Sequence, residues 1–246
     1  MEDAVQGAAA LLDARGLRKQ FGSLLVINDV DFRVAQGEAL GIVGPNGAGK
    51  TTLLSVLSGS YDAGGTVRFQ GEDVTRLDAA RRCRRGMART HQVPRPFGGM
   101  TVFENVYTAA THGGGFAQSQ ACERSIDALT VCGMLALANR KAESLGLLER
   151  KRLELTRALA TNPRLLLLDE IGGGLTDGEA AQLVETIRLL HGRGIAIVWI
   201  EHIVHVLLQV VTRLVCMDAG RVIAQGEPQS VLRHPAVVEA YMGTAL

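Results

Sequence analysis

The sequence predicts an α/β protein, built on a mostly parallel sheet with helices on both faces. Three observations carry this. Residues 165–168 and 195–200 are continuous apolar runs without alternation, as expected of strands buried on both sides. Residues 39–57 read as strand, glycine-rich turn and helix, the unit from which parallel sheets are assembled. Residues 101–160 read mostly as helix, which predicts a helical insert between two α/β halves.

In chain order, residues 24–27, 30–34 and 39–43 read as strands set apart by polar or glycine punctuation, and an antiparallel β subdomain is expected beside the main sheet. A helix follows at 50–57, a strand at 65–70, a helix at 78–85 and a strand at 87–92. That strand runs into Val93-Pro94-Arg95-Pro96-Phe97-Gly98-Gly99, whose prolines and glycines mark a boundary. Thr101-x-x-Glu104 has capping-box spacing and opens the helical block, within which Gly113-Gly114-Gly115 reads as a flexible loop. Beyond it come a strand at 165–168, a helix at 177–191, a strand at 195–200 and a helix at 203–209. Residues 213–217 and 221–224 read as a hairpin closed at Asp218-Ala219-Gly220, and short helices are expected after Pro228 and Pro235. The expected division is one domain over 1–246, with a core of 11–92 and 161–246 and a helical subdomain of 93–160.

Composition narrows the class. The 246 residues are 47% hydrophobic and 21% charged with a net charge of +1, which excludes a collagen, a coiled coil or a disordered tail. Near-neutral charge gives no global reason to bind nucleic acid, so any polyanion must be held by a compact local site. The run Arg81-Arg82-x-Arg84-Arg85 reads as the solvated face of a helix, with no interleaved aromatics, and no nucleic-acid partner is expected. Cys83, Cys122, Cys132 and Cys216 lack CxxC spacing, which fits a reducing compartment. The start Met1-Glu2-Asp3 lacks signal-peptide character, and no apolar run approaches the ~18 residues that cross a bilayer. A membrane role is therefore expected only through partner chains.

The strongest chemical signal is Gly44-Pro45-Asn46-Gly47-Ala48-Gly49-Lys50-Thr51, a full match to G-x-x-x-x-G-K-[ST] between a predicted strand and a predicted helix. Glycines let backbone N–H groups turn around phosphate oxygens, and the helix amino terminus favours the anion. These eight residues and Thr52 are the expected nucleotide contacts: Lys50 reaches the β and γ phosphates and the Thr51 hydroxyl coordinates Mg²⁺. The apolar run 165–168 ends in Asp169-Glu170; Asp169 is expected to hold Mg²⁺ and its hydration shell, and Glu170 to polarise an attacking water.

With Arg89-Thr90-His91-Gln92, residues 100–106, residues 152–160 and the tail Glu239-Ala240-Tyr241-Met242-Gly243, the chain resembles the ATP-binding cassette (ABC) family over nearly its whole length. It looks most like the ATPase subunits of branched-chain amino acid importers. The resemblance implies a P-loop NTPase core, ATP with Mg²⁺, and ATP hydrolysis coupled to transmembrane transport. It makes Gln92 the glutamine linking Mg²⁺ and water to the membrane subunits, His202 the switch histidine on the γ-phosphate, and Phe21 the aromatic on adenine with Val26 beside it. Pro94, Pro96 and Phe97 shape the groove for a permease helix. The implied partners are a second cassette, two permeases and, indirectly, a solute-binding protein, with the chain peripheral on the cytoplasmic face of the inner membrane. Related cassettes also serve lipid or glycolipid exporters or act as low-turnover nucleotide switches.

One segment departs from the family. Its signature loop, which acts on the nucleotide of the partner cassette, aligns with Leu145-Gly146-Leu147-Leu148-Glu149. Gly146 replaces the usual serine and has no hydroxyl, while Leu148 replaces a glycine and brings bulk and restricted φ. A lost charge-assisted hydrogen bond is worth roughly 1.5–3 kcal/mol. Ile171 replaces the usual proline, and Thr176 the usual aspartate or asparagine. A site complete in cis and degraded in trans predicts a heterodimer with a cassette whose signature is intact; the alternative is a homodimer in which Glu149, Arg150 and neighbouring amides supply an equivalent loop.

Overall fold

The computed structural model describes residues 10–242; Met1-Glu2-Asp3 and Gly243 lie outside the described residues. Strand β1 (Ala10–Phe21) and strand β2 (Leu24–Ala35) form an antiparallel hairpin. The predicted strands omit 10–21 and divide 24–34 in two. Both differences have the same cause: Gly16 (φ 59) and Asp29 (φ 61) occupy left-handed backbone where the pairing register shifts, so the alternation that marks a strand is interrupted. Strand β3 (Ala39–Val43) leads through the glycine loop to helix α1 (Lys50–Leu57). Strands β4 (Gly64–Phe69) and β5 (Glu72–Asp73) complete an antiparallel sheet in the order β2-β1-β4-β5.

Helix α2 (Ala79–Arg84) then turns the chain into strand β6 (Met87–Arg89), shorter than the predicted 87–92. On α2 the arginine run is not simply a solvated face. Arg82 is 3% exposed, and its guanidinium donates to the carbonyls of Val56 (2.9 Å) and Leu57 (2.7 Å) at the carboxyl end of α1, and to Thr75 and Leu77. A cation at that end meets both the orphan carbonyls and the negative pole of the helix.

The insert is helix α3 (Val102–Thr108), a π turn at Ala109–Gly113, helix α4 (Gln118–Val131), two short 3₁₀ segments and helix α5 (Leu147–Ala160). The predicted capping box is formed at α3: Glu104 N–H donates to Thr101 Oγ1 (3.1 Å), and Thr101 N–H to Glu104 Oε2 (2.7 Å). The rest alternates: strand β7 (Leu165–Asp169), helix α6 (Asp177–Gly192), strand β8 (Ala196–Ile200), helix α7 (Val204–Leu207), the hairpin β9 (Arg213–Asp218) and β10 (Arg221–Gly226), then helices α8 (Pro228–Leu232) and α9 (Pro235–Met242).

The main sheet runs β10-β9-β3-β8-β7-β6, parallel throughout except for β10 against β9. Its strands are buried on both faces, and alternate residues feed two cores. Leu166, Leu168, Ile197 and Trp199 pack with the helical insert and α6, whereas Leu165, Leu167, Val198 and Ile200 pack with α1 and the antiparallel sheet. The carboxyl ends of β3, β7 and β8 thereby deliver the loops after Val43, Asp169 and Ile200 to one edge, where ligands of open α/β sheets bind. Among the described residues no helix is long and apolar enough to cross a membrane.

Candidate functional site

The glycine loop is fixed by close backbone approach. Gly44 has φ 143, and a Cβ there would lie 2.0 Å from the Met217 carbonyl oxygen on β9; Gly49 has φ 99, and a Cβ would lie 2.7 Å from the Val26 carbonyl oxygen. Only glycine permits both contacts. Asn46 and Gly47 are exposed at the tip, and Ala48 is anchored below by a bond from Gly220 N–H to its carbonyl (3.1 Å). Lys50, 6% exposed, turns its ammonium back across the loop to the carbonyls of Gly44 (2.7 Å) and Pro45 (2.9 Å). Burial pushes its pKa down, and the charges of Glu170 and Asp169 oppose that shift. No acidic side chain occupies the first turn of α1, so its amides face an open, anion-favouring terminus.

Thr51, next on α1, donates its hydroxyl to Asp169 Oδ1 (3.1 Å) at the end of β7. The other carboxylate oxygen of Asp169 is held by Arg89 Nη2 (2.9 Å), and Arg89 is itself fixed by Ser55 Oγ (2.8 Å). A hydroxyl and a carboxylate at this separation form a hard-oxygen pair suited to Mg²⁺, which takes few protein ligands and completes its octahedron with phosphates and water. Thr52 is half-buried on the same turn.

Glu170 is the strained residue of the site. It sits at φ 46, a left-handed conformation that costs a non-glycine residue on the order of 1–3 kcal/mol. The conformation is held by bonds from Glu170 N–H to the Ile200 carbonyl (2.9 Å) and from Gly173 N–H to the Glu170 carbonyl (3.2 Å). The twist aims the carboxylate so that Oε1 meets His202 Nε2 at 2.7 Å and Oε2 accepts from the Gln92 amide. The three residues expected to carry catalysis therefore meet at one carboxylate. Gln92 here holds the Glu170 carboxylate, while Thr51 pairs with Asp169.

Other predicted positions are less concentrated. Val26 lies against the loop through its carbonyl, as above. Phe21 stands at the exposed end of the first hairpin, edge-on to Tyr61 (centroids 5.3 Å) with Lys19 Nζ 5.1 Å from its ring. Pro94 and Pro96 are half-buried and Phe97 is exposed, its ring covered on one side by the Arg157 guanidinium at 5.2 Å. Leu145 is buried ahead of α5, Gly146 is its N-cap in extended backbone, and Leu147, Leu148 and Glu149 form its first turn. Leu148 is thus helical, with no positive φ demanded of it, so its departure from glycine acts through bulk alone.

Sequence reasoning gave no role to four residues that the geometry brings in: Arg89 on Asp169, Tyr61 on Phe21, the Tyr241 hydroxyl that accepts Gly44 N–H at 2.8 Å, and Lys151, buried behind Glu170. Arg89 and Tyr241 belong to segments that carry the family resemblance; Tyr61 and Lys151 have no sequence signal of their own.

The comparisons agree with this geometry. The family model described as "ABC transporter" matches residues 27–172, and that described as "Branched-chain amino acid ATP-binding cassette transporter" matches residues 221–246. The chain belongs to the ABC transporter family. It is 34% identical over 251 residues to the high-affinity branched-chain amino acid transport ATP-binding protein LivG of Escherichia coli strain K12, covering 96% of this chain and 98% of that protein. The corresponding protein BraF of Pseudomonas aeruginosa is 32% identical over the same shares. A solved ABC transporter cassette in its ADP conformation superposes with a TM-score of 0.86 at 31% identity, covering 96% of this chain and all of that one. As an ABC cassette, the chain is a nucleotide-binding ATPase of the α/β P-loop class and a component of transporters.

Proposed function

We propose that this ABC ATPase energises an importer of branched-chain or other small amino acids or amides, from the cytoplasmic face of the inner membrane. The observation that carries the catalytic half is the Glu170 carboxylate, held between His202 and Gln92 beside the Thr51–Asp169 pair. ATP binds with its phosphates on the 44–51 loop and Lys50 moves from the loop carbonyls to the anion. Mg²⁺ held by Thr51 and Asp169 supplies charge neutralisation on the phosphates when bound. Glu170 accepts a proton from the attacking water, and His202 and Gln92 orient that carboxylate.

The import half rests on the similarity to LivG and BraF and on the carboxyl-terminal family match. Two permeases, and a solute-binding protein acting through them, complete the assembly. The segment Val93 to Met100 presents Val93, Phe97 and Met100 as exposed apolar side chains, a surface suited to a permease helix, and residues 93–160 serve as the helical subdomain that carries it. A second reading is a lipid exporter. It is favoured by the 34% identity over 234 residues to the lipopolysaccharide export ATP-binding protein LptB of Acidithiobacillus ferridurans.

The second cassette is a different chain with an intact signature. Within this chain, the residues that could compensate for Gly146 and Leu148 are already engaged. Glu149 accepts Gly146 N–H (2.9 Å) and pairs with Arg140 (3.3 Å), and Arg150 donates to the carbonyls of Leu145 and Glu143 (both 2.9 Å).

The experiment is uptake into right-side-out vesicles loaded with ATP, carrying the tagged chain and its co-purified membrane subunits, with the solute-binding protein supplied outside. ATP-driven accumulation of labelled leucine or an amide is expected, reduced at least about tenfold by Glu170→Gln. Lipid-linked transport with no amino-acid uptake selects the exporter instead.

A further inference from the structure

We propose that Lys151 is a positioning residue for hydrolysis, tying the backbone of Glu170 and of Gln92 to the helix that begins with the signature loop. The proposal rests on Glu170 being the base, as read above. Lys151 lies in the second turn of α5 and is 4% exposed. Its ammonium donates to the Gln92 carbonyl and to the Glu170 carbonyl, both at 3.3 Å. Among the described residues no carboxylate lies within ion-pair distance of it. Its charge is met by two carbonyl dipoles and by the fields of Glu201 and Glu170.

Burying an ammonium on carbonyls alone is a poor device for stability, because an apolar side chain of similar length fills the space without desolvating a charge. The geometry gives it another use. Residues 151, 154 and 157 recur on one face of α5, and each grips the segment after β6. Glu154 Oε1 accepts His91 N–H (3.3 Å), Arg157 donates to the Arg95 carbonyl (2.9 Å), and Lys151 holds Gln92. Of the three, Lys151 alone also reaches Glu170.

That second contact falls on the strained residue. The Glu170 carbonyl is shared between Gly173 N–H and Lys151, so removal of the ammonium leaves a single bond to hold the left-handed twist on that side. Relaxation of φ swings the carboxylate away from His202 and Gln92. Because Leu147–Glu149 open the same helix, a displacement of the signature loop by a partner's nucleotide is passed through Lys151 to the base and to Gln92 at once.

The test compares Lys151→Met with wild type in the full chain, with its partner cassette and membrane subunits. The kcat is expected to fall about tenfold or more with KM for ATP within about threefold, and Lys151→Arg, which can also donate to two carbonyls, is expected to restore most of the turnover. Independently of turnover, amide hydrogen exchange in the nucleotide-free chain is expected to quicken at residues 90–93 and 169–173 and to stay unchanged across 51–57. Wild-type kcat in Lys151→Met overturns the proposal, as does faster exchange spread equally through α1. Should that variant not fold, Lys151→Gln is measured in the same way, and normal turnover with unchanged local exchange is the overturning result. A wild-type assembly that hydrolyses no ATP refutes the functional reading instead, and the exchange comparison still decides whether Lys151 holds the two loops.

Discussion

Arg82 shows how much a single side chain contributes when its surroundings convert it from surface to core. Its guanidinium serves four backbone carbonyls, two of them the orphans at the end of α1, the helix that presents Lys50 and Thr51. Arg82→Ala takes this donor from the carbonyls of Leu57, Thr75 and Leu77, while Val56 keeps the Gly59 N–H at 3.1 Å. The expected loss is about 3 kcal/mol of unfolding free energy, read as a lowered midpoint in urea, while Arg81→Ala on the exposed side of α2 is expected to cost less than about 0.5 kcal/mol. The sequence could not separate the two arginines, because both sit in one basic run and only the tertiary position of α1 distinguishes them. Asp169 and Glu170 stood out because they end the apolar run of β7, whereas Gln92 and His202 were singled out only by the resemblance to the family. Lys151 was invisible because the carbonyls it meets, those of Gln92 and Glu170, come together only in the fold.

At the scale of elements, strands β3, β7 and β8 were legible because burial on both faces leaves an unbroken apolar run. The hairpin β1–β2 was not, since two left-handed residues shift its register and hide its alternation. Helix α5 was found, but the state of its first turn needed coordinates. Leu147 is 46% exposed, with its Cδ2 beside Gly174 in the loop that follows Glu170, so the first turn of α5 offers an apolar side chain where the family has a small or polar one. Restoring a hydroxyl and a glycine by the double substitution Gly146→Ser with Leu148→Gly removes the bulk and supplies a donor. One recovered charge-assisted bond of about 1.5–3 kcal/mol predicts a ten- to hundredfold rise in hydrolysis at the partner's nucleotide. Single-turnover measurement with nucleotide confined to the partner site reads this directly, and no rise means that the loop is not what limits that site. Leu148→Gly also raises the conformational freedom of α5, so the double variant is expected to melt a few degrees lower.

For the whole molecule, the same residues make a prediction about assembly. Head-to-tail closure of two cassettes gives each nucleotide one half-site from each chain, so a chain with an intact catalytic half and an obstructed signature half can complete a partner only poorly. Two copies of this chain would form two obstructed sites. With Glu170→Gln blocking hydrolysis and Mg²⁺–ATP in excess, the isolated chain is expected to remain monomeric in sedimentation velocity, and to dimerise only when a cassette with an intact signature is added. In that mixed dimer the two sites are unequal. Glu170→Gln on this chain is expected to abolish nearly all turnover, whereas the equivalent change in the partner removes only the slow site and leaves turnover within about twofold of wild type. Equal losses from the two substitutions, or a stable dimer of this chain alone, would mean that Gly146 and the amides of α5 build a working signature despite Leu148, and that the assembly is symmetric.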